Sequence, residues 1–86
     1  MLVLVEGTLQ QPLPEKARRA ASAWLGPMAD QGVLHGGWVD RAGERVWMVV
    51  SAEDLAAAQE TVGDLPVARD GSVSFTFTPV EALRTS

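Results

Sequence analysis

The first eight residues, MLVLVEGT, form a predicted strand that is apolar on both of its alternating sets. Leu2 and Leu4 belong to one set, and Val3 and Val5 belong to the other. Because successive side chains of a strand point to opposite faces of a sheet, such a strand needs cover on both faces. The pattern therefore predicts a central strand with a layer on each side of it.

The first helix is predicted from apolar residues that recur at three- and four-residue spacing between Ala17 and Met28. Pro14 suits its first position, since the fixed φ angle is helical and the missing N–H is not needed there. Gly26-Pro27 predicts a kink or a restart for one last turn, because proline removes a helical hydrogen bond. Gly32 then ends the helix.

A hairpin and a second helix follow. The two strands cover about residues 33–40 and 44–50, with Gly43 in the turn, where a left-handed residue is easiest. Ser51 opens a capping-box-like start, and its hydroxyl is predicted to accept an early backbone amide of the helix. The buried side of this helix is predicted to comprise Leu55, Ala58 and Val62.

Leu65-Pro66 predicts an extended connection to the last strand. Residues 72–79 alternate strictly, with Val73, Phe75 and Phe77 on one side and serine and threonine on the other. The order strand, helix, strand, strand, helix, strand predicts an α+β, ferredoxin-like fold, in which a four-stranded antiparallel sheet carries both helices on one face.

Composition limits the classes of function. We expect the 86 residues to form one domain at 1–80 with a C-terminal tail at 81–86. The net charge of -4 excludes a nucleic-acid partner, which would require clustered lysine and arginine. No stretch approaches the roughly 20 apolar residues of a membrane helix, and Met1 leads into a strand without a basic leader. We expect a cytoplasmic protein without a membrane partner.

Two helices on one face leave the second face of the sheet uncovered. The first and third strands are apolar on that face as well, and soluble monomers rarely expose large contiguous apolar patches. We therefore expect a homodimer or higher homo-oligomer packed sheet to sheet. Its pocket is expected between the helix layer and the sheet, or at the seam between the sheets.

This chain combines several features with the element order described above. They are the start MLVLV, the Gly32 entry into a hairpin with histidine and tryptophan, the opening SAEDL at 51–55, and Leu65-Pro66. In this combination the chain resembles the muconolactone isomerase family and, more loosely, YCII-related proteins, both of the dimeric α+β barrel superfamily. The resemblance implies a dimer with a pocket for a small organic acid, lactone or polyketide-like compound. It also implies a proton shift without metal or cofactor. Relatives that run cofactor-free oxygenation typically employ an asparagine, which this chain lacks.

His35, the only histidine, is the first catalytic candidate. An imidazole exchanges protons near neutral pH and can act as general acid or base. The alternative is a structural hydrogen bond at a strand end. A metal site is not expected, because zinc or iron needs three or more ligands.

Glu6 is the second catalytic candidate, because it interrupts an otherwise apolar strand. A carboxylate that faces a pocket can abstract an acidic C–H proton. At a solvated strand end beside Gly7, the same carboxylate would have no such role.

The substrate-binding candidates are Trp38, Trp47 and Arg45. The two indoles can flank a flat ligand, and the guanidinium can hold a carboxylate. The alternatives are dimer packing for the tryptophans and a salt bridge to Glu44, Asp40 or a neighbouring strand for the arginine. Because His35 and Trp38 point to opposite faces in a regular strand, a bulge at Gly36-Gly37 is required to bring both to one face.

These residues favour a cofactor-independent isomerase or cyclase that moves a proton on a small unsaturated lactone or polyketide-like substrate. The alternative is a non-catalytic dimeric module that binds a metabolite or stabilises a partner enzyme. In the module, the two tryptophans would be sealed in the dimer seam.

Overall fold

The computed structural model describes residues 1–11, 15–69, 71–81 and 83, so that the prediction for Pro14 lies outside the described residues. Along the chain the elements are β1 Leu2–Leu9, α1 Glu15–Asp30, β2 Leu34–Val39, β3 Arg45–Ser51, α2 Leu55–Gly63, α3 Pro66–Arg69 and β4 Val73–Val80. The strands form one antiparallel sheet in the order β2-β3-β1-β4. This is the predicted ferredoxin-like α+β fold, with β1 in the interior of the sheet. Across the described ranges, no helix is both long and apolar enough to cross a membrane.

The helices pack on one face of the sheet, called here the helix face. No described helix covers the other face, called the open face, in the single chain. Val3 pairs with Val50 and Val5 with Met48 on the helix face, and none of these four side chains is more than 5% exposed. They pack against α2 and the residues after it, through Ala58, Val62 and Leu65. The hydrophobic core therefore lies between the sheet and the helices.

The first helix ends as predicted. α1 continues through Pro27 without restarting, and Gly32 follows it with a φ angle of 76°. The N–H of Val33 donates to the carbonyl oxygen of Met28 at 2.9 Å, which closes the helix end in a Schellman-type arrangement. This left-handed glycine turns the chain directly from α1 into β2.

Two local predictions around the second helix are wrong. Ser51 is the last residue of β3, where pairing with Leu2 keeps it extended. Asp54 is the N-cap instead, and its carboxylate accepts the N–H of Ala57 at 2.8 Å. Pro66 does not continue an extended connection but begins the four-residue helix α3, at the helical position where proline is most favourable.

Candidate functional site

The hairpin of β2 and β3 contains a bulge. Leu34 pairs with Val50 and Gly36 pairs with Val49, so His35 is the extra residue on β2. The bulge begins one residue earlier than the glycine pair that predicted it. Because an extra residue shifts the alternation, Trp38 points to the open face, whereas in a regular strand it would point toward the helices. The bulge thus brings the histidine and the tryptophan to one face.

His35 forms a hydrogen bond across the hairpin. Its Nε2 lies 2.5 Å from Oγ of Ser51, at the end of the neighbouring strand. The ring is nevertheless exposed on the open face and can contact a ligand. Ser51 was missed as a site residue because its position before Glu53 and Asp54 matched a helix cap.

The other predicted site residues form a row across the same face. Glu6 pairs directly with Trp47, and Trp47 pairs with Trp38 on its other side. The guanidinium carbon of Arg45 lies 5.4 Å from the centre of the Trp47 ring, within the range of cation–π attraction. Glu6 is half-buried within β1 and does not lie at a solvated strand end. All five predicted residues therefore share the open face.

His35 and Glu6 do not form a pair. β3 lies between their strands, and the register offsets them along the sheet by two to three residues. With strands about 4.8 Å apart and a rise of about 3.3 Å per residue, their Cα atoms are about 13 Å apart. Each would therefore reach a different part of a bound molecule. Within the described ranges, no three acidic or histidine side chains converge to hold a metal ion.

Trp38 provides the most exposed aromatic surface of the hairpin, with 60% of the residue accessible. Its indole lies over Gly36, where an added Cβ would be 2.7 Å from the ring atom Cη2. The missing side chain of Gly36 leaves the space that the indole occupies. This glycine therefore has a packing role in addition to its place in the bulge.

A cleft of about 420 Å³ lies on the helix face, between α1 and the hairpin. Its volume is within the range of about 300–1,000 Å³ that is common for small-molecule sites. The polar side chains lining it include Arg18 and Ser22 of α1, and Trp38 and Trp47 also border it. Apolar lining residues include Ala21, Leu25, Leu34, Val46, Met48 and Phe75. None of the described lining residues is a carboxylate or a histidine, so the cleft offers space without an acid-base group.

Asp40 holds the turn between β2 and β3. Its Oδ1 accepts the backbone N–H of Glu44 at 2.8 Å and of Arg45 at 3.1 Å. These bonds, above all the one from Arg45, hold the pKa of the Asp40 carboxyl below its ordinary value of 3.8. Gly43 follows with a φ angle of 72°, as predicted. The turn therefore fixes the register of the two strands that carry most of the site.

Fold and site together define a small ferredoxin-like α+β protein with acid-base and aromatic groups on the open face of its sheet. No family model matches the chain, and no curated protein sequence matches it. A similar solved structure is 5-chloro-2-hydroxyhydroquinone dehydrochlorinase from Burkholderia phenoliruptrix AC1100, in complex with 2,5-dihydroxybenzoquinone. The two chains align over 94% of each with a TM-score of 0.73 and 12% sequence identity, so the likeness is one of fold. The resemblance to muconolactone isomerases stays a prediction.

Proposed function

We propose that this protein is a cofactor-independent isomerase or cyclase that moves a proton on a small unsaturated lactone or polyketide-like compound. The observation that carries the proposal is the bulge at His35, which gives the single histidine and Trp38 the same face. An acid-base group beside flat aromatic surface is the combination that a small cyclic substrate requires.

The proposed roles follow from position. His35 removes a proton from a carbon next to a carbonyl group and returns it to another carbon of the same conjugated system. Trp38 and Trp47 hold the flat substrate, and Arg45, next to Trp47, holds its carboxylate or enolate oxygen. Glu6, opposite Trp47 on β1, is the second acid-base group, at the far side of the substrate.

A second copy of the chain is proposed to close this site. Leu2, Leu4 and Val49 lie on the open face with the catalytic candidates and are only half-buried in the single chain. Packing the open faces of two copies together would bury these side chains and exclude water from the polar groups beside them. The proposed assembly is therefore a homodimer, with the sites between the two sheets.

A protein of the same fold supports the size and kind of substrate. The dehydrochlorinase named above acts on a chlorinated hydroxyhydroquinone and was solved with a dihydroxybenzoquinone. Both compounds are small, flat, oxygenated rings, as a lactone or a folded polyketide intermediate is. The fold can therefore serve a reaction on such a ring.

Proton transfer can be measured directly by deuterium incorporation. We expect the purified protein in D₂O to exchange a C–H proton of at least one compound in a panel of unsaturated lactones and polyketide-like compounds, observed by NMR. His35→Gln should slow this exchange by about 100-fold or more, the typical contribution of a general acid-base group. Arg41→Gln, a change in the exposed turn of the same hairpin, is the control and should leave the rate unchanged.

Two results would count against the proposal. One is a wild-type protein that exchanges no proton of any compound in the panel, and the other is full activity in both His35→Gln and Glu6→Gln.

The second candidate is a non-catalytic dimeric module that binds a metabolite or stabilises a partner enzyme. The cleft on the helix face favours it, because Arg18 and Ser22 offer polar contacts in an apolar space without an acid-base group. In the module, tryptophan fluorescence should shift as the dimer dissociates on dilution and should not respond to compounds of the panel. A response to a compound at constant protein concentration, together with proton exchange, would favour the enzyme.

A further inference from the structure

We infer that Ser51 is a positioning residue for His35, and that it makes Nδ1 the ring nitrogen that exchanges the proton with the substrate. The inference rests on the proposed function, because it assigns a partner to the proposed acid-base group. Ser51 itself has no other assigned task, since Asp54 caps α2 in its place.

Ser51 is well placed to orient a ring. Its N–H donates to the carbonyl oxygen of Val33 at 2.7 Å, and on its other side it pairs with Leu2 of β1. The serine is thus held between two strands. His35, in contrast, is the unpaired residue of a bulge, so its backbone is less constrained by the ladder. The contact of 2.5 Å between Oγ and Nε2 supplies the constraint that the bulge lacks.

A hydroxyl group is suited to hold an imidazole through a change of charge. Its oxygen can accept a hydrogen bond from Nε2–H both in the neutral tautomer with Nε2 protonated and in the imidazolium. In the neutral state with Nε2 protonated, Nδ1 has a free lone pair and can act as the base. The ring therefore gains and loses its proton at Nδ1 without having to turn.

The proton balance of the reaction is then simple. The C–H proton of the substrate moves to Nδ1, leaving the electron pair in a conjugated enolate and an imidazolium whose Nε2–H still donates to Ser51. The proton then leaves Nδ1 for another carbon of the enolate, and the electron pair returns to a C–H bond. Ser51 neither gains nor loses a proton, so its role is positioning.

The single histidine makes the inference testable by NMR of ¹⁵N-labelled protein, because no assignment of ring signals is needed. We expect the neutral wild-type ring to be protonated at Nε2. In Ser51→Ala the two ring nitrogens should shift toward the values of a mobile imidazole that exchanges between tautomers, whereas Ser51→Thr, which keeps the hydroxyl, should resemble the wild type. Ser74→Ala, which removes an exposed hydroxyl from β4, is the matched control and should change nothing.

The kinetic expectation is a loss in kcat with little change in KM. A displacement of about 1 Å of a catalytic group can cost about 100-fold, so Ser51→Ala should slow proton exchange by at least about 10-fold. Ser51→Thr should restore most of the rate. Thermal unfolding of each variant shows whether the fold is retained.

The outcomes separate this inference from the proposed function. Ring signals that are the same in the wild type and in Ser51→Ala, with His35→Gln inactive, would overturn the role of Ser51 alone. Full activity of both His35→Gln and Glu6→Gln would overturn the proposed function and with it the assignment of Nδ1. Altered ring signals, a slow Ser51→Ala and rescue by Ser51→Thr would support both.

Discussion

The helix face and the open face of this sheet meet different requirements of an active site. The helix face has a cleft of about 420 Å³ beside α1, open on one side, but no carboxylate or histidine among its described lining residues. The open face has His35, Glu6 and Arg45, but none of the described helices covers it in the single chain. Space and acid-base chemistry thus lie on opposite sides of one sheet. A reaction on the open face therefore needs a cover, and in the proposed function a second copy of the chain provides it.

The same strands supply both faces, so the difference depends on register. On β3, Val46 and Met48 line the cleft, while Arg45 and Trp47 alternate with them on the open face, and Trp47 also borders the cleft. A slip of one residue would exchange the two sets. On β2, the bulge at His35 has the same effect within a single strand, because the residues after it point to the opposite face from the one that regular alternation would give them. The location of one unpaired residue thus decides which face Trp38 belongs to.

The largest effect is expected for Gly7→Ala, on the helix face of β1. A Cβ there would lie 2.6 Å from Cγ2 of Val46, 2.7 Å from Cγ1 of Val73 and 2.9 Å from Cε1 of Phe75. These side chains belong to strands on both sides of β1 and cannot all move away. We expect the free energy of unfolding in urea to fall by about 1–3 kcal/mol, as overpacking of cores does.

Gly63→Ala is the control for this variant, because a Cβ at the end of α2 would meet nothing within 4 Å and the φ angle of Gly63 is not positive. It should leave the protein as stable or slightly more stable. A Gly7→Ala protein with wild-type stability would show that the helix face is less tightly packed than these distances indicate.

The same substitution on the open face, Gly36→Ala, is expected to cost far less. The added Cβ would again be too close to a neighbour, 2.7 Å from Cη2 of Trp38. That atom, however, is the far end of a side chain that is 60% exposed and free to swing outward. We expect a stability change within about 0.5 kcal/mol, as is usual at surface positions, and a clear change in tryptophan fluorescence.

If Gly36→Ala destabilised the protein as much as Gly7→Ala, the open face would already be packed in the folded state. For the proposed homodimer, that result would mean that the second copy contacts Trp38. Repeating the measurement over a range of protein concentrations would then separate the contribution of a partner.

Much of this fold could be predicted because its signals are local. The alternation of β4, the glycine that ends α1 and the glycine of the hairpin turn each follow from a few neighbouring residues. Ser51 shows the limit of such reasoning. Its sequence context is that of a helix cap, but pairing with a distant strand keeps it in β3, and its partner His35 is 16 residues away.

The candidate residues could be named from the sequence, but the face that they share could not. Alternation alone shows that His35 and Trp38 need a bulge between them to lie on one face. Which residue the bulge leaves unpaired, however, depends on the register with β3. The polar side chains of the cleft, Arg18 and Ser22, were missed because they belong to the polar side of an amphipathic helix. Which of those side chains meet the sheet depends on how the helix packs, and this is not encoded in local spacing.

The smallest effect is expected for Asp40→Asn, which tests the turn that keeps the two faces in register. In the folded chain the backbone N–H groups of Arg45 and Glu44 hold the pKa of Asp40 below 3.8. A lowered pKa means that the ionised carboxylate stabilises the fold above about pH 4 and that this contribution is lost as the pH falls through the folded pKa. Asparagine keeps an acceptor oxygen but not the charge, so the wild type should be slightly more stable than the variant at pH 7. The difference should shrink at pH 3, and urea unfolding at both pH values measures it.

The control is Glu44→Gln. This change removes a charge from the same turn but leaves the Asp40 carboxylate that accepts the N–H groups of the turn. A stability difference that is the same at pH 3 and pH 7 would mean that the carboxylate charge does not hold the turn, and that the register dividing the two faces depends on the strand pairs alone.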